Sequence, residues 1–382
     1  MIKSRPWRRR SGAGDPEAAR EPAAPSAPAD SPAPVESPDD LIRAGRLLEA
    51  IDALTAANRR HRDARLEARI VDLRHRAFGE LPRPDSPPQW EEDVADLFPG
   101  EVIPEIEGKD LSAENLRSAI RHHGSLLVRG LVPPADAERL VADIDHVYDA
   151  FDARQEQRDV GDDAAWFRPF ALDGNPGSRK FLRQTGGILA VDSPRAMFDL
   201  VEIFEQARIG AVARDYFGER PALLAKKWTL RKVPHDTPMT SDWHQDGAFM
   251  GKSIRSLNVW LSLSHCGDDA PGLDIVGRRL EEIVETGTDG AFLKWTVGPG
   301  AAERVAQGTM VRPIFEVGDA LLFDHMNLHR TAVDAGMTRD RYAIEAWFIA
   351  PSTYSLMTNS TETRDPAIRS DQIPLVYSTA LR

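Results

Sequence analysis

The sequence predicts an α+β protein in which helices come first and a mostly antiparallel β-sandwich or barrel follows. Three observations carry this. Apolar residues recur at spacings of three and four between Leu41 and Leu73, the period of a helix. After residue 220 the segments LLAKKWTLRKV, SLNVWLSLS, GTMVRPIFEV, ALLFDHM and YAIEAWFIA have strand composition, broken at short intervals by Gly, Pro or Asp. No repeated helical crossover separates them, and parallel neighbours would need one.

Taken in order, residues 1–39 predict a disordered tail. Seven prolines lie between Pro16 and Pro38, with no aromatic residue and Val35 as the single branched aliphatic, so nothing offsets the entropy of ordering. Residues 40–80 predict a helical hairpin: Leu41, Ala44, Leu48, Ile51 and Leu54 mark one stripe, and Leu66, Ile70 and Leu73 mark another after Asn58-Arg59-Arg60. One such pair is expected to pack on its own neighbouring domain rather than to dock a protein partner, because helical arrays need three or more units. The proline-rich LPRPDSPPQ places a linker at 81–94. The main domain is expected over 95–355. It begins with a helix from Ser112 through His122, a short buried strand SLLVRG, and a helix over Pro134–Phe151 carrying Leu140, Ile144 and Val147. Residues 356–382 form a C-terminal tail with little signal.

Composition narrows the function classes. A chain of 382 residues buries a full core without staples. Its 60 acidic and 48 basic residues give a net charge of −12, which argues against nucleic acid as a partner. No run approaches the ~18 apolar residues of a membrane span, and the basic start MIKSRPWRRR leads into a Gly/Pro/Ala segment instead of a signal peptide's apolar stretch. The expectation is a cytoplasmic protein with no membrane contact. The single cysteine, Cys266, excludes an internal disulfide and any multi-cysteine metal site, and no nucleophile motif surrounds it.

Chemistry concentrates in two places. In Trp243-His244-Gln245-Asp246, an extended backbone would put His244 and Asp246 on one face and Gln245 on the other. An imidazole and a carboxylate so placed can take adjacent positions on a metal ion. A histidine from another strand would complete a 2-His-1-carboxylate facial triad, which leaves positions open and suits Fe(II). Further on, GDALLF leads into DHMNLHRT, where His325 and His329 compete for that role. Arg341 then opens an apolar strand. A guanidinium there needs an anion, either a ligand carboxylate that matches its fork or a neighbour such as Asp340 or Glu345.

Together WHQD, GDALLFDHMNLHRT and RYAIEAWF resemble the phytanoyl-CoA dioxygenase-like branch of the Fe(II)/2-oxoglutarate oxygenases, over roughly residues 120–350. The resemblance implies a double-stranded β-helix (jelly-roll) core with flanking helices, and Fe(2+), 2-oxoglutarate and O2 as cofactor and cosubstrates. It implies His244, Asp246 and His329 as metal ligands. His329 is preferred over His325 because it stands ten residues after Asp319 and has Thr331 at +2. Arg341, preferred over Arg339, would bind the distal carboxylate of 2-oxoglutarate with Thr331, and Trp260 and Gln245 would complete the cosubstrate site. The implied activity is hydroxylation of an unactivated C–H bond in a small organic substrate, with release of succinate and CO2. Asp246 disfavours the halogenase variation, in which a small residue opens a site for chloride. Two features depart from the family. PGLDIVGRRLEEI lacks the usual Pro-Gly-Ser-His turn, and the long segment Gly277–Met310, with WTVGPG, is either a cap on the active site or an inert insertion. Lys227, Arg231, Phe249, Met250 and Trp295 are the candidate substrate-binding residues, with Arg183 and Gln184 near the mouth. Their polar and basic character points to a polar or anionic substrate. Two alternatives stay open: a β-barrel metalloenzyme that does not use 2-oxoglutarate, and a non-catalytic binding protein on the same fold.

Overall fold

A computed structural model describes residues 36–81, 93–158, 165–170, 177–237, 242–354 and 374–377. The expected N-terminal tail, the linker and most of the C-terminal tail lie outside the described residues.

The helices are α1 (Pro38–Arg43), α2 (Leu47–Arg60), α3 (Ala64–Ala77), α4 (Ala113–His123), α5 (Pro134–Gln155), α6 (Gly177–Gln184), α7 (Pro194–Gln206), α8 (Ile209–Phe217), α9 (Gly247–Met250) and α10 (Pro299–Ala306). The strands are β1 (Glu105–Glu107), β2 (Ser125–Arg129), β3 (Gly187–Leu189), β4 (Ala222–Val233), β5 (Ser256–Ser262), β6 (Gly272–Val276), β7 (Met310–Val311), β8 (Ala320–Phe323), β9 (His329–Ala332), β10 (Arg341–Ile349) and β11 (Pro374–Val376). Local chemistry sets several boundaries. The Ser112 hydroxyl accepts from Asn115 N at 3.1 Å to cap α4, and Asp63 caps α3 by accepting from Arg65 N at 2.7 Å. Helix α4 stops at Gly124, φ +86°, where an added Cβ would lie 2.8 Å from the Arg278 carbonyl oxygen.

The larger sheet runs β1-β2-β8-β5-β10-β4-β11, with β3 also on β4. Only the β1–β2 pair is parallel; every other pairing among the described strands is antiparallel. The smaller sheet is β7-β6-β9. Directly opposite residues share a face, so Leu127, Leu321, Trp260 and Glu345 line one face of the larger sheet. On the other face Leu126, Leu322, Val259, Ile344 and Leu230 join one core cluster with α4, α5, α7 and α8. Helices α4, α5, α7 and α8 therefore cover one face, and the opposite face, with Trp260 and Phe323, shares a second cluster with Leu273 and Ile275 of β6 and with apolar residues of α2 and α3.

One expectation changes. GTMVRPIFEV is a strand only at Met310–Val311; Pro313 has no N–H to donate, and Phe315 makes a single bridge with Cys266. GLDIV, to which the sequence assigned no element, is β6, with all of its residues buried. Among the described residues no helix is long and apolar enough to cross a membrane.

Candidate active site

His244 sits where the smaller sheet reaches across to the WHQD segment. It forms a bridge to His329 of β9, with backbone N–O distances of 3.0 and 3.1 Å, while Trp243 bridges Val297. The backbone then turns: Asp246 has φ −64°, ψ −20° and leads into α9. The segment is thus not extended through Asp246 as the alternation argument assumed. Asp246 reaches His244 because the chain bends there.

The two imidazoles stand with ring centroids 4.4 Å apart, and His329 Nε2 lies 3.9 Å from Asp246 Oδ2. One ligand atom from each of the three residues lies within 4.8 Å of the others. His244 Nδ1 is 2.9 Å from the Asp242 carbonyl and His329 Nδ1 is 3.2 Å from the Asn327 carbonyl. A carbonyl only accepts, so each Nδ1 carries the proton and each Nε2 keeps its lone pair. Burial, then the neighbouring His244, pushes the His329 imidazole down to about 4, which keeps it neutral near pH 7. Burial alone would raise the Asp246 carboxyl, but the Lys227 ammonium and both histidines hold it well below the usual carboxylate range. Lys227 Nζ is 2.5 Å from Asp246 Oδ1, leaving Oδ2 as the oxygen nearer His329. Two imidazole lone pairs and one carboxylate oxygen form a donor set that fits Fe(II).

His325 is excluded. It lies in the turn between β8 and β9, with Nδ1 2.9 Å from Ser256 Oγ and Nε2 3.0 Å from the Lys252 carbonyl, so both ring nitrogens are engaged. The other grouping of metal-type side chains among the described residues, His265 with Asp268 and Asp269, fails similarly. Its imidazole is bound by Asp268 at 2.8 Å and Glu316 at 3.1 Å.

Arg341 opens β10 and is 1% exposed. Its Nη1 donates to the Gly272 carbonyl at 2.9 Å, its Nε has no partner, and its guanidinium lies 5.4 Å from the Trp260 ring. The Trp260 indole N–H is likewise buried without an acceptor. The neighbours that might have neutralised Arg341 are engaged elsewhere: Asp340 with His235 at 2.9 Å, and Glu345 with both arms of the Arg231 fork at 2.9 Å. Burial lowers Arg341 to about 10, which leaves it a cation at neutral pH. A buried guanidinium and indole with unused donors fit an acceptor-only group such as a carboxylate. Thr331 is two residues past His329 on β9, hence on the same face.

Four proposed contacts need correction. The Gln245 amide donates to the Met326 and Glu282 carbonyls at 2.7 and 3.2 Å and accepts from Val284 N at 2.7 Å. With those bonds made it braces backbone and has no capacity for a cosubstrate. Met250 is fully buried in the core cluster, with no exposed surface to offer a substrate. Arg231 is neutralised by Glu345. Arg183 is likewise forked onto Asp152 at 3.1 and 2.6 Å.

Phe249 and Trp295 do reach the site. Their rings meet edge-on at 5.3 Å, and Trp295 stands 6.3 Å from the His244 ring. The long insertion therefore comes to the triad. Asp242 pins it, accepting from Phe292 N at 3.0 Å and Thr296 Oγ1 at 3.2 Å while its own carbonyl orients His244. The sequence reading missed Asp242; its one signal is an acidic residue two places before the ligand histidine.

Among solved structures the chain is loosely similar to EctD from S. alaskensis with 2-oxoglutarate and 5-hydroxyectoine, at 15% identity over 71% of this chain and 86% of that one, TM-score 0.45. It is similar to the epimerase SnoN in complex with Fe3+, alpha ketoglutarate and nogalamycin RO, at 16% identity over 69% and 95%, TM-score 0.42. It is also similar to EvdO2 from Micromonospora carbonacea var. aurantiaca complexed with 2-oxoglutarate, at 14% identity over 60% and 88%, TM-score 0.40. No curated protein matches. The profile of the phytanoyl-CoA dioxygenase family (PhyH) matches residues 120–333, more than half of the chain and inclusive of His244, Asp246 and His329. Fe(II) and 2-oxoglutarate are that family's cofactor and cosubstrate, and the chain belongs to the phytanoyl-CoA dioxygenase family.

Proposed function

We propose that this oxygenase-type enzyme hydroxylates an unactivated C–H bond of a small organic substrate, releasing succinate and CO2. The observation that carries the reading is Arg341. It is a fully buried cation with no carboxylate partner among the described residues, and it shares an unused-donor pocket with Trp260. A metalloenzyme that does not use 2-oxoglutarate has no need for such a residue, and a binding protein has no need for two neutral imidazoles and a carboxylate converging beside it.

His244, Asp246 and His329 would hold the iron through two Nε2 atoms and Oδ2. Arg341, with Thr331 and Trp260, would hold the distal carboxylate of 2-oxoglutarate. Iron with 2-oxoglutarate supplies the oxidative chemistry on O2 that side chains lack. The chain's own work is positional. Backbone carbonyls of Asp242 and Asn327 fix both imidazole tautomers, Lys227 fixes the carboxylate, and the insertion brings Trp295 over His244 to exclude water. The two sheets are read as the halves of a double-stranded β-helix. His329 and Thr331 come from the smaller half, and Lys227, Trp260 and Arg341 from the larger. The helices over 40–80 are an addition to an oxygenase domain of 95–355.

Anaerobic Fe(II) titration with 2-oxoglutarate tests the reading through the weak visible charge-transfer band of the ternary complex. The wild type develops the band. H244A and D246A do not bind iron, and R341A binds iron but fails to develop the band at 2-oxoglutarate concentrations that saturate the wild type. A folded, iron-loaded wild type without the band rules out 2-oxoglutarate as cosubstrate.

A further inference from the structure

Lys227 is a cation with more donors than the protein uses. It lies on β4, one residue before Trp228, whose ring packs with Phe204 and Phe348 on the helix-covered face; Lys227 therefore points to the opposite face, toward the triad. Its ammonium has three N–H donors, and its one acceptor among the described residues is Asp246 Oδ1 at 2.5 Å. The side chain remains 22% exposed.

Charge balance sharpens the point. Arg231 is neutralised by Glu345, and Arg341 is matched to one carboxylate of 2-oxoglutarate under the reading above, on which this inference rests. A divalent ion with Asp246 and the second carboxylate of 2-oxoglutarate is neutral. The Lys227 charge is then left over, within hydrogen-bond distance of the ligand carboxylate Asp246. Holding Asp246 in position alone would need only a neutral donor, which would not put a second positive charge beside a dication.

The wall next to this cation is aromatic. Lys227 Nζ lies 5.3 Å from the centroid of Phe249, whose ring meets Trp295 at 5.3 Å. Trp295 is 36% exposed and Phe292, three residues before it, is 80% exposed. Such aromatic surface beside the ammonium favours an apolar body.

We propose that the substrate is an organic carboxylate, its anionic group bound by Lys227 and its apolar body lying against Phe249 and Trp295. Cationic substrates are rejected by the same ammonium, and neutral isosteres lose the charge-assisted hydrogen bond.

The test uses the full chain, anaerobic and saturated with Fe(II) and 2-oxoglutarate, with the visible band confirming the complex. Phenylacetate and octanoate are compared with their amides and with phenethylamine by calorimetry, and by perturbation of the band. The wild type is expected to bind each carboxylate at least tenfold more tightly than its amide and to bind the amine least. K227M, read at Fe(II) and 2-oxoglutarate concentrations that saturate its own band, should lose the preference, and K227R should retain much of it. Equal affinity for carboxylate and amide in the wild type, with no binding counted as no preference, overturns this inference alone, as does a preference that survives in K227M. A wild type without the band overturns the oxygenase reading and this inference with it.

Discussion

Among single residues, burial and hydrogen-bond partners separate groups that look equivalent. His325 and His329 stand four positions apart and are both buried, yet His325 spends both ring nitrogens on Ser256 and Lys252 while His329 keeps Nε2 free. His325→Ala should therefore lower the melting temperature, with a loss of about 1–3 kcal/mol, and leave Co(II) affinity nearly unchanged. His329→Ala should abolish Co(II) binding. Calorimetric titration and thermal unfolding of both variants check this. Asp143 makes a different case. It sits on α5, buried, with Oδ2 lacking a partner, and burial, reinforced by Asp199, raises it to about 7 against the opposing pull of Arg139, Arg62 and His146. An unfolded aspartate titrates at about 3.9. Between those values the folded state holds the proton more tightly, so this contribution to stability is present in acid and is lost as pH rises from about 4 through about 7. Urea midpoints of wild type should fall relative to Asp143→Asn between pH 5 and pH 8. Parallel midpoints across that range would refute the assignment.

Elements owe their placement to polar contacts that cross between them. Helices α2 and α3 meet α7 around Glu67, whose fully buried carboxylate takes Arg62 at 2.6 Å from the turn between α2 and α3 and Arg195 at 3.1 Å from α7. Glu67→Ala removes the acceptor shared by both guanidiniums, so about 2–3 kcal/mol of stability should be lost. A variant whose denaturant midpoint matched wild type would show that the apolar contacts of Ile70 and Leu73 suffice. Periodicity identifies the stripes on α2 and α3 but carries no information about Arg195 or Asp199, which lie more than a hundred residues away in sequence. The stretch holding α7 and α8 received no assignment from the sequence, although Ser193 before Pro194 is a capping signal that was available: its hydroxyl accepts from Ala196 N at 3.3 Å.

Across the whole molecule, long-range strand pairing closes the architecture. β5 lies between β8 and β10, and β4 lies between β10 and β11. The last described residues are therefore structural. Leu375, Val376 and Tyr377 are buried, the Arg74 guanidinium donates to the Val376 carbonyl at 3.1 Å, and β11 pairs with β4 from Ala222 to Leu224. Ending the chain after residue 373 strips that edge. At about 1.5–3 kcal/mol per buried aliphatic side chain, the loss should be roughly 5 kcal/mol, read as a drop in the urea midpoint. An unchanged midpoint would mean that β11 is not part of the folded unit.

The sequence alone determined the local facts: the apolar periods, the strand compositions, the caps, and the presence of two histidines, an aspartate and an arginine in an order and spacing that suit one chemistry. Apart from the order that joins His244 to His329 and Arg341, these properties belong to residues within a few positions of each other, where sequence distance and spatial distance agree. Tertiary structure decided what depends on distant partners. It occupied both ring nitrogens of His325 with Ser256 and Lys252 from elsewhere in the chain, the physical ground for the preference for His329 that the resemblance already implied. It bent the backbone at Asp246, neutralised Arg231 with Glu345 and left Arg341 without a carboxylate partner among the described residues. It spent the Gln245 amide on backbone groups, buried Met250 in the core cluster, and brought Trp295 from the insertion to His244. A side chain's charge and donors are written in its identity, but whether they are already used is a property of the packed neighbourhood, and that neighbourhood is assembled by sheet pairings that no local pattern specifies.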